Sequence, residues 1–407
     1  MPDLDLELLR QRLCAARPGL EIREIEIVER ARCGDGLAST ADRIALRLEL
    51  GGDTELGGDT ELGGDTDLPE HVVVKTILLH PALRFGMPVI LATARVTGAL
   101  GRMPLLGKLA SPLTFALIGG YQRLFPHAPA AMYANEVRFY ASIRPTLEIE
   151  APRVYATAFD ERNGSFQIVM EDLRDRQAHF PNATESFSRV QVRSLIDNLA
   201  RLHARHWASP RFADELAWVP GTQRGGMFPV FDAIGLDLIR DQVRRSPDKR
   251  ELIAPLGRSL PDLWRDMWRV QADFEREPAS LCHGDAHVGN TYLLGDRVGL
   301  LDWQLMVRGC WAHDLSYALA TSLSIADRRR HERDLLAEYL DRLAEHGVAT
   351  PPSREHAWLR YRQGMIWGLV IGWLITPPQN YGVAITRANI DKMVHAMQDL
   401  ETLAVIP

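Results

Sequence analysis

The sequence predicts an α+β protein of two lobes, strand-rich first and mainly helical second. Three observations carry this. Alternating and β-branched segments cluster in the first 170 or so residues, helical periodicity dominates from Ser186 onward, and 407 residues exceed what one small core needs. The composition, 46% hydrophobic and 25% charged, is that of an ordinary globular protein.

The elements follow in order. Residues 4–17 read as a short amphipathic helix and residues 21–28 as a strand. Arg43-Ile44-Ala45-Leu46-Arg47-Leu48-Glu49-Leu50 alternates apolar and polar, the period of a half-buried strand. Gly51-Gly52-Asp53-Thr54-Glu55-Leu56 then recurs at 57–62 and at 63–68, where Asp67 replaces Glu. Its spacing does not match the nonapeptide calcium pattern and three hexads bury almost nothing, so a tandem expansion in a surface hairpin loop is expected. His71-Val72-Val73-Val74-Lys75-Thr76 is a β-branched strand. Residues 80–131, apolar with several glycines and prolines, predict two or three short helices. Residues 134–143 predict a helix and 165–170 a strand. Helices follow over 186–207, 228–245, 261–276, 313–324, 326–346 and 354–375.

Several function classes are excluded. A net charge of −6 is unlike that of a general nucleic-acid binder. Cys14, Cys33, Cys282 and Cys310 form no CxxC pair and read as reduced thiols of a cytoplasmic protein. The acidic start, Met1-Pro2-Asp3-Leu4-Asp5, is no secretory signal. Arg95, Arg102 and Lys108 interrupt the apolar stretch 86–120, and 365–376 is too short to span a bilayer. No membrane span is expected; peripheral membrane contact stays open.

The chemistry concentrates in His283-Gly284-Asp285-Ala286-His287-Val288-Gly289-Asn290, followed by Leu300-Leu301-Asp302-Trp303-Gln304. Phosphoryl transfer needs these parts in this order. One carboxylate accepts the proton of the attacking hydroxyl, an amide five residues later holds a metal ion, and a second carboxylate on the next hairpin chelates the metal bridging the phosphates. Asp285, Asn290 and Asp302 fit those roles. Read alone, both aspartates could be turn residues; the ordered set argues otherwise. No Ala-Pro-Glu segment follows Asp302, and the chain runs almost directly from Gln304 to His313. A small-molecule acceptor is therefore expected over a protein substrate.

On these motifs the chain resembles the aminoglycoside and choline kinase-like superfamily over roughly residues 20–380. Asn135-Glu136-Val137-Arg138-Phe139-Tyr140, Val169-Met170-Glu171-Asp172-Leu173 and the run from Leu199 to Trp207 make it look most like the ecdysteroid kinase-like branch. The resemblance implies a protein-kinase-like two-lobed fold that uses ATP and Mg2+. It implies a nucleotide-binding first lobe over 1–172, with the hexad loop at 51–68 and the insertion at 80–131, and a second lobe over 173–407 with the catalytic loop and acceptor site. Lys75 becomes the phosphate-binding lysine and Glu136 its helix partner, although their spacing is long. Gly34, Gly36 and Ser39 lie where a nucleotide-covering loop belongs, although the full GxGxxG pattern is missing. Backbone groups of Glu171 and Leu173 would read the adenine edge, in a linker expected to face solvent. Asp314 is an N-cap candidate that braces the catalytic loop. His283 is a second brace, and His287 stands where protein kinases carry a phosphate-contacting lysine.

The expected function is phosphorylation of a small-molecule hydroxyl. Trp358, Tyr361, Trp367, Trp373 and the run Pro377 to Tyr381, together with the lack of an acidic run in the second lobe, favour an apolar alcohol, although such aromatics are also ordinary core residues. A nucleotide-binding pseudokinase and an aminoglycoside-type antibiotic kinase are the alternatives.

Overall fold

The structure, a computed structural model, describes residues 4–31, 41–51, 68–77, 130–161, 165–223, 231 and 235–407. Five antiparallel strands build the first part: β1 (Glu21–Ala31), β2 (Asp42–Gly51), β3 (His71–Thr76), β4 (Val154–Asp160) and β5 (Ser165–Glu171), in the order β1-β2-β3-β5-β4. Helix α1 (Leu6–Ala15), capped by the Asp5 carboxylate accepting the Leu8 N–H at 2.9 Å, lies against one face. Its Leu9 and Leu13, one turn apart, pack into a core with Ile44, Leu46, Leu48, Val72, Val74 and Val169. Strand pleating turns the alternate residues 43, 45, 73 and 75 to the opposite face.

Helix α2 (Ala130–Arg138) runs on through a π-helical turn, Phe139–Ile143, so the helix expected over 134–143 is present, begins earlier, at Ala130, and widens at its end. It docks through two ring stacks: Tyr133 on Phe166 of β5, 4.4 Å between centroids, and Phe139 on Trp303, 3.7 Å. The second stack ties the sheet region to the helical part, whose buried residues join one large core.

In the helical part, α3 (Arg189–Arg205) begins with a capping box of Ser188 and Gln191. Then come α4 (Leu236–Arg245), α5 (Pro247–Ile253) and α6 (Leu260–Phe274). The short strand β6 (Ser280–Cys282) leads into the motif loop, the hairpin β7 (Thr291–Leu294) and β8 (Arg297–Leu300), and β9 (Val307–Gly309), which pairs with β6. Helix α7 (Ala312–Ser322) is buried on every side, enclosed by α3, α8 (Ile325–Glu345) and α9 (Arg354–Trp367). Gly364 of α9 permits this approach, because a Cβ there would lie 2.3 Å from the Ser316 hydroxyl. The chain continues as a π-helix, Gly368–Leu374, and ends with α10 (Val383–Asp399).

The sequence reading did not mark β4, whose residues are mostly half-buried and do not alternate, nor α5, β9 and α10. The hexads at 52–67 and the insertion at 80–129 lie outside the described residues, while Leu68, closing the last hexad, is buried. Of the helix expected over 228–245, the described helical part is Leu236–Arg245. Among the described residues, no helix is long and apolar enough to cross a membrane.

Candidate active site

The motif loop between β6 and β7 is shaped by a glycine and held by a buried carboxylate. Gly284 has φ +84°, and a Cβ there would fall 1.9 Å from the Leu305 carbonyl oxygen, so only glycine fits. Asp314, fully buried, accepts the His283 N–H at 2.6 Å, the Gly284 N–H at 2.9 Å and His203 Nε2–H at 3.1 Å. His203 in turn meets the Tyr339 hydroxyl at 2.8 Å. Asp314 is thus a brace, as expected, but not an N-cap: it sits inside the first turn of α7, and its side chain spends its oxygens on the loop. His283 braces as well, with Nε2 on the Leu301 carbonyl at 2.7 Å and Nδ1 accepting the Asp285 N–H at 3.3 Å.

Asp285 and Asn290 face one another. The Asn290 amide donates to the Asp285 carboxylate at 3.0 Å and to its carbonyl at 2.9 Å. Both bonds use the amide nitrogen, which leaves Oδ1 as the outward atom. Burial pushes the Asp285 carboxyl up to about 7, with the Asp302 charge adding to the rise against His283 and Asn290. Its neighbour His287 is 2% exposed, with Tyr317, Trp373 and Tyr381 around it at ring-centroid distances of 5.3–6.0 Å. Nδ1 accepts the Gly289 N–H at 3.0 Å, Nε2 lies 3.7 Å from Asp285 Oδ2, and burial pushes the imidazole down to about 4. This is a neutral ring in an aromatic wall, unlike the charged lysine of the kinase comparison.

Asp302 follows β8 in a left-handed conformation, φ 60° and ψ 73°. The Leu301 N–H bonds the Asn290 carbonyl at 2.8 Å, which holds the two segments side by side. Across the cleft, Lys75 Nζ lies 3.4 Å from Asp302 Oδ1 and 2.7–2.8 Å from both Glu136 oxygens. Burial pushes the Asp302 carboxyl up, but the Lys75 and Arg43 charges outweigh it and hold the group below the ordinary carboxylate range. The sequence separation of 61 positions from Lys75 to Glu136 is bridged by the docking of α2.

A cavity of about 250 Å³ opens from these groups toward Met170, Glu171, Asp172, Leu173 and Phe180. The Glu171 N–H is occupied by the Arg153 carbonyl at 2.9 Å, and its side chain by the Arg153 N–H and Arg176. The Leu173 carbonyl accepts the Arg176 and Ala178 N–H groups; its own N–H has no acceptor among the described residues. The linker faces solvent at Arg174 and Asp175, as expected, but not at Asp172. Asp172 is only 6% exposed, because Arg174 folds back and grips its carboxylate at 2.6–3.0 Å. Gly34, Gly36 and Ser39 lie outside the described residues.

The structure therefore lines one cavity with Lys75, Glu136, Asp302, Glu171 and Leu173, and sets the Asp285–Asn290 pair beside Asp302 through the Leu301 N–H on the Asn290 carbonyl. Asp302 and the free Asn290 oxygen are hard donors, the set a magnesium ion takes. Sequence reasoning passed over Tyr317, whose position in the wall has no local signature, and Arg43, which lines the cavity.

A family described as "Phosphotransferase enzyme family" matches residues 105–356. No curated protein matches by sequence. Among solved structures the chain is similar to an ethanolamine kinase from Plasmodium vivax (12% identity, covering 93% of this chain and 81% of that one, TM-score 0.44). It is similar to a choline kinase from Cryptosporidium parvum (10%, 99% and 98%, TM-score 0.44) and to an aminoglycoside phosphotransferase from Streptomyces rimosus (17%, 88% and 98%, TM-score 0.36).

Proposed function

The chain belongs to the phosphotransferase enzyme family, and from that premise we propose that it moves the γ-phosphate of ATP, with magnesium, to a hydroxyl of a small apolar alcohol. The observation that carries this is that the Lys75–Glu136 pair meets Asp302 in one cavity, with the Asp285–Asn290 pair held beside Asp302.

Each group then has a task. The Glu171 carbonyl and the Leu173 N–H border the adenine, and we divide the lobes there, after residue 172. Lys75, oriented by Glu136, contacts the α- and β-phosphates. The Gly34 to Ser39 segment covers them. Asn290 Oδ1 and the Asp302 carboxylate would hold magnesium, which supplies the charge that neutralises the phosphates. Asp285, with a carboxyl poised near neutral pH, accepts the hydroxyl proton as the oxygen attacks, and the nucleoside diphosphate leaves.

The acceptor assignment rests on part of the aromatic set. Trp373 and Tyr381 pack around His287, beside Asp285. Trp358 and Tyr361 stack on each other elsewhere, under Arg333 and against Glu332, as core. Trp367 packs on His313 and Trp268.

The test is ATP consumption against a panel of steroid and long-chain alcohols, choline and kanamycin-type aminoglycosides, run with wild type and Asp285→Asn. Turnover of an apolar alcohol that falls roughly 10²–10⁴-fold in the variant is the expected result. Turnover of an aminoglycoside alone refutes the acceptor class. Nucleotide binding without any turnover points to a pseudokinase.

A further inference from the structure

Three cations line the cavity among the described residues: Lys75, Arg174 and Arg43. Two have partners. Lys75 is held by both Glu136 oxygens, and Arg174 by Asp172 and by Glu29 at 2.7 Å. Arg43 is exposed, and its guanidinium makes no hydrogen bond or ion pair among the described residues.

Its place on the sheet makes this unusual. Arg43 is the second residue of β2 and stands directly opposite Lys75 of β3. The pleat turns both toward the cavity, with Ala45 and Val73 beside them, while Ile44 and Val74 face the α1 core. Two cations at directly opposed positions repel each other, and an anion bound between them relieves that repulsion. Arg43 shares the cavity lining with Asp302, and its charge is felt at Asp302 and at Tyr381 of the aromatic wall.

Resting on the phosphotransfer reading above, we propose that the Arg43 guanidinium binds the terminal phosphate of the nucleotide and neutralises the phosphoryl group while it is transferred. The bond from the γ-phosphorus to the bridging β-oxygen breaks and the bond to the acceptor oxygen forms. The hydroxyl proton goes to Asp285, and the nucleoside diphosphate departs. Arg43 exchanges no proton; its planar fork spans two phosphoryl oxygens at once and follows the charge as it shifts. A cation supplied by the enzyme's own chain in this way spares it a partner protein's arginine.

The experiment separates the terminal phosphate from the rest of the nucleotide. Affinities for ADP and for the non-hydrolysable imidotriphosphate analogue of ATP, each with magnesium, are measured by calorimetry on wild type, Arg43→Ala, Arg43→Gln and Arg43→Lys. Arg43→Ala and Arg43→Gln should lose the triphosphate analogue by roughly ten- to hundredfold, the worth of a charged hydrogen bond, and ADP by less than about threefold. Arg43→Lys, keeping the charge without the fork, should fall between. Slow ATP hydrolysis, with water as acceptor, should drop in kcat more than it rises in KM. A merely structural role would weaken both nucleotides together, and that result, or no change in either, overturns the inference. Wild type binding neither nucleotide would overturn the phosphotransfer reading itself, and this inference with it.

Discussion

Removing the Asp314 carboxylate is the sharpest test of how the motif loop is held. Three buried donors converge on it: the His283 and Gly284 N–H groups and His203 Nε2–H. Asp314→Ala strands all three. A buried donor without an acceptor costs about 1–3 kcal/mol, so the sum is about 3–9 kcal/mol. The space vacated by the carboxylate can admit a water that re-bonds one or two donors, which brings the expected loss to about 4 kcal/mol. With an unfolding entropy of about 2 cal/mol/K per residue, that is a drop in Tm of about 5 °C. Asp314→Asn keeps one acceptor oxygen and should lose less. The loop carries Asp285, the proposed base, so turnover should fall by about 100-fold or more through lost positioning, while ADP binding, proposed for the Lys75 and Leu173 side, should stay within about threefold. Differential scanning calorimetry, calorimetric titration with ADP and a turnover assay together decide it. A Tm within 1 °C of wild type, or unchanged turnover, would refute the brace.

Three further outcomes follow from the same geometry. Asp302→Ala removes the carboxylate proposed for magnesium, so activity should be lost at every practical magnesium concentration; a magnesium titration matching wild type sinks that role. His206 is fully buried with its ring held down to about 4 by burial, whereas an unfolded histidine titrates near 6.5. The unfolded state then binds the extra proton between those values, so stability should fall as pH drops from 6.5 toward 4, by up to about 3 kcal/mol from this residue. Urea unfolding at pH 7 and pH 5 should show a smaller difference in His206→Phe than in wild type; equal differences argue against a neutral His206. Gly364→Ala improves helix propensity, yet its Cβ would press within 2.7 Å of the Ala312 carbonyl oxygen, a backbone atom that cannot rotate away. A net loss of about 1–3 kcal/mol is expected from overpacking, and a gain in the urea midpoint would show that α7 and α9 separate cheaply.

Local signals in the sequence were enough for the parts whose chemistry is local. His283 to Asn290 and Asp302 sit on one loop and the hairpin beside it, so their spacing alone implies their meeting, and Asp285 and Asn290 are in fact bonded. β2 and β3 announce themselves by alternation and branching, and α3 by the helical periodicity over 186–207. Other features depended on packing. The edge strand β4 leaves most of its residues half-buried on both faces and so shows no alternating pattern. Asp172 reads as a charged linker residue until Arg174 folds over it. Asp314 looks like a helix cap, but its oxygens were decided by a loop 30 residues earlier in the chain. The sequence by itself determined which side chains are fit for phosphoryl transfer and in what order they come. Only the tertiary structure decided that Glu136 reaches Lys75, through the ring stacks that dock α2, and that Arg43 stands opposite Lys75 across two strands. The physical reason is that such contacts are set by how helix and strand surfaces pack and pair, and that information is spread over many residues distant in the chain.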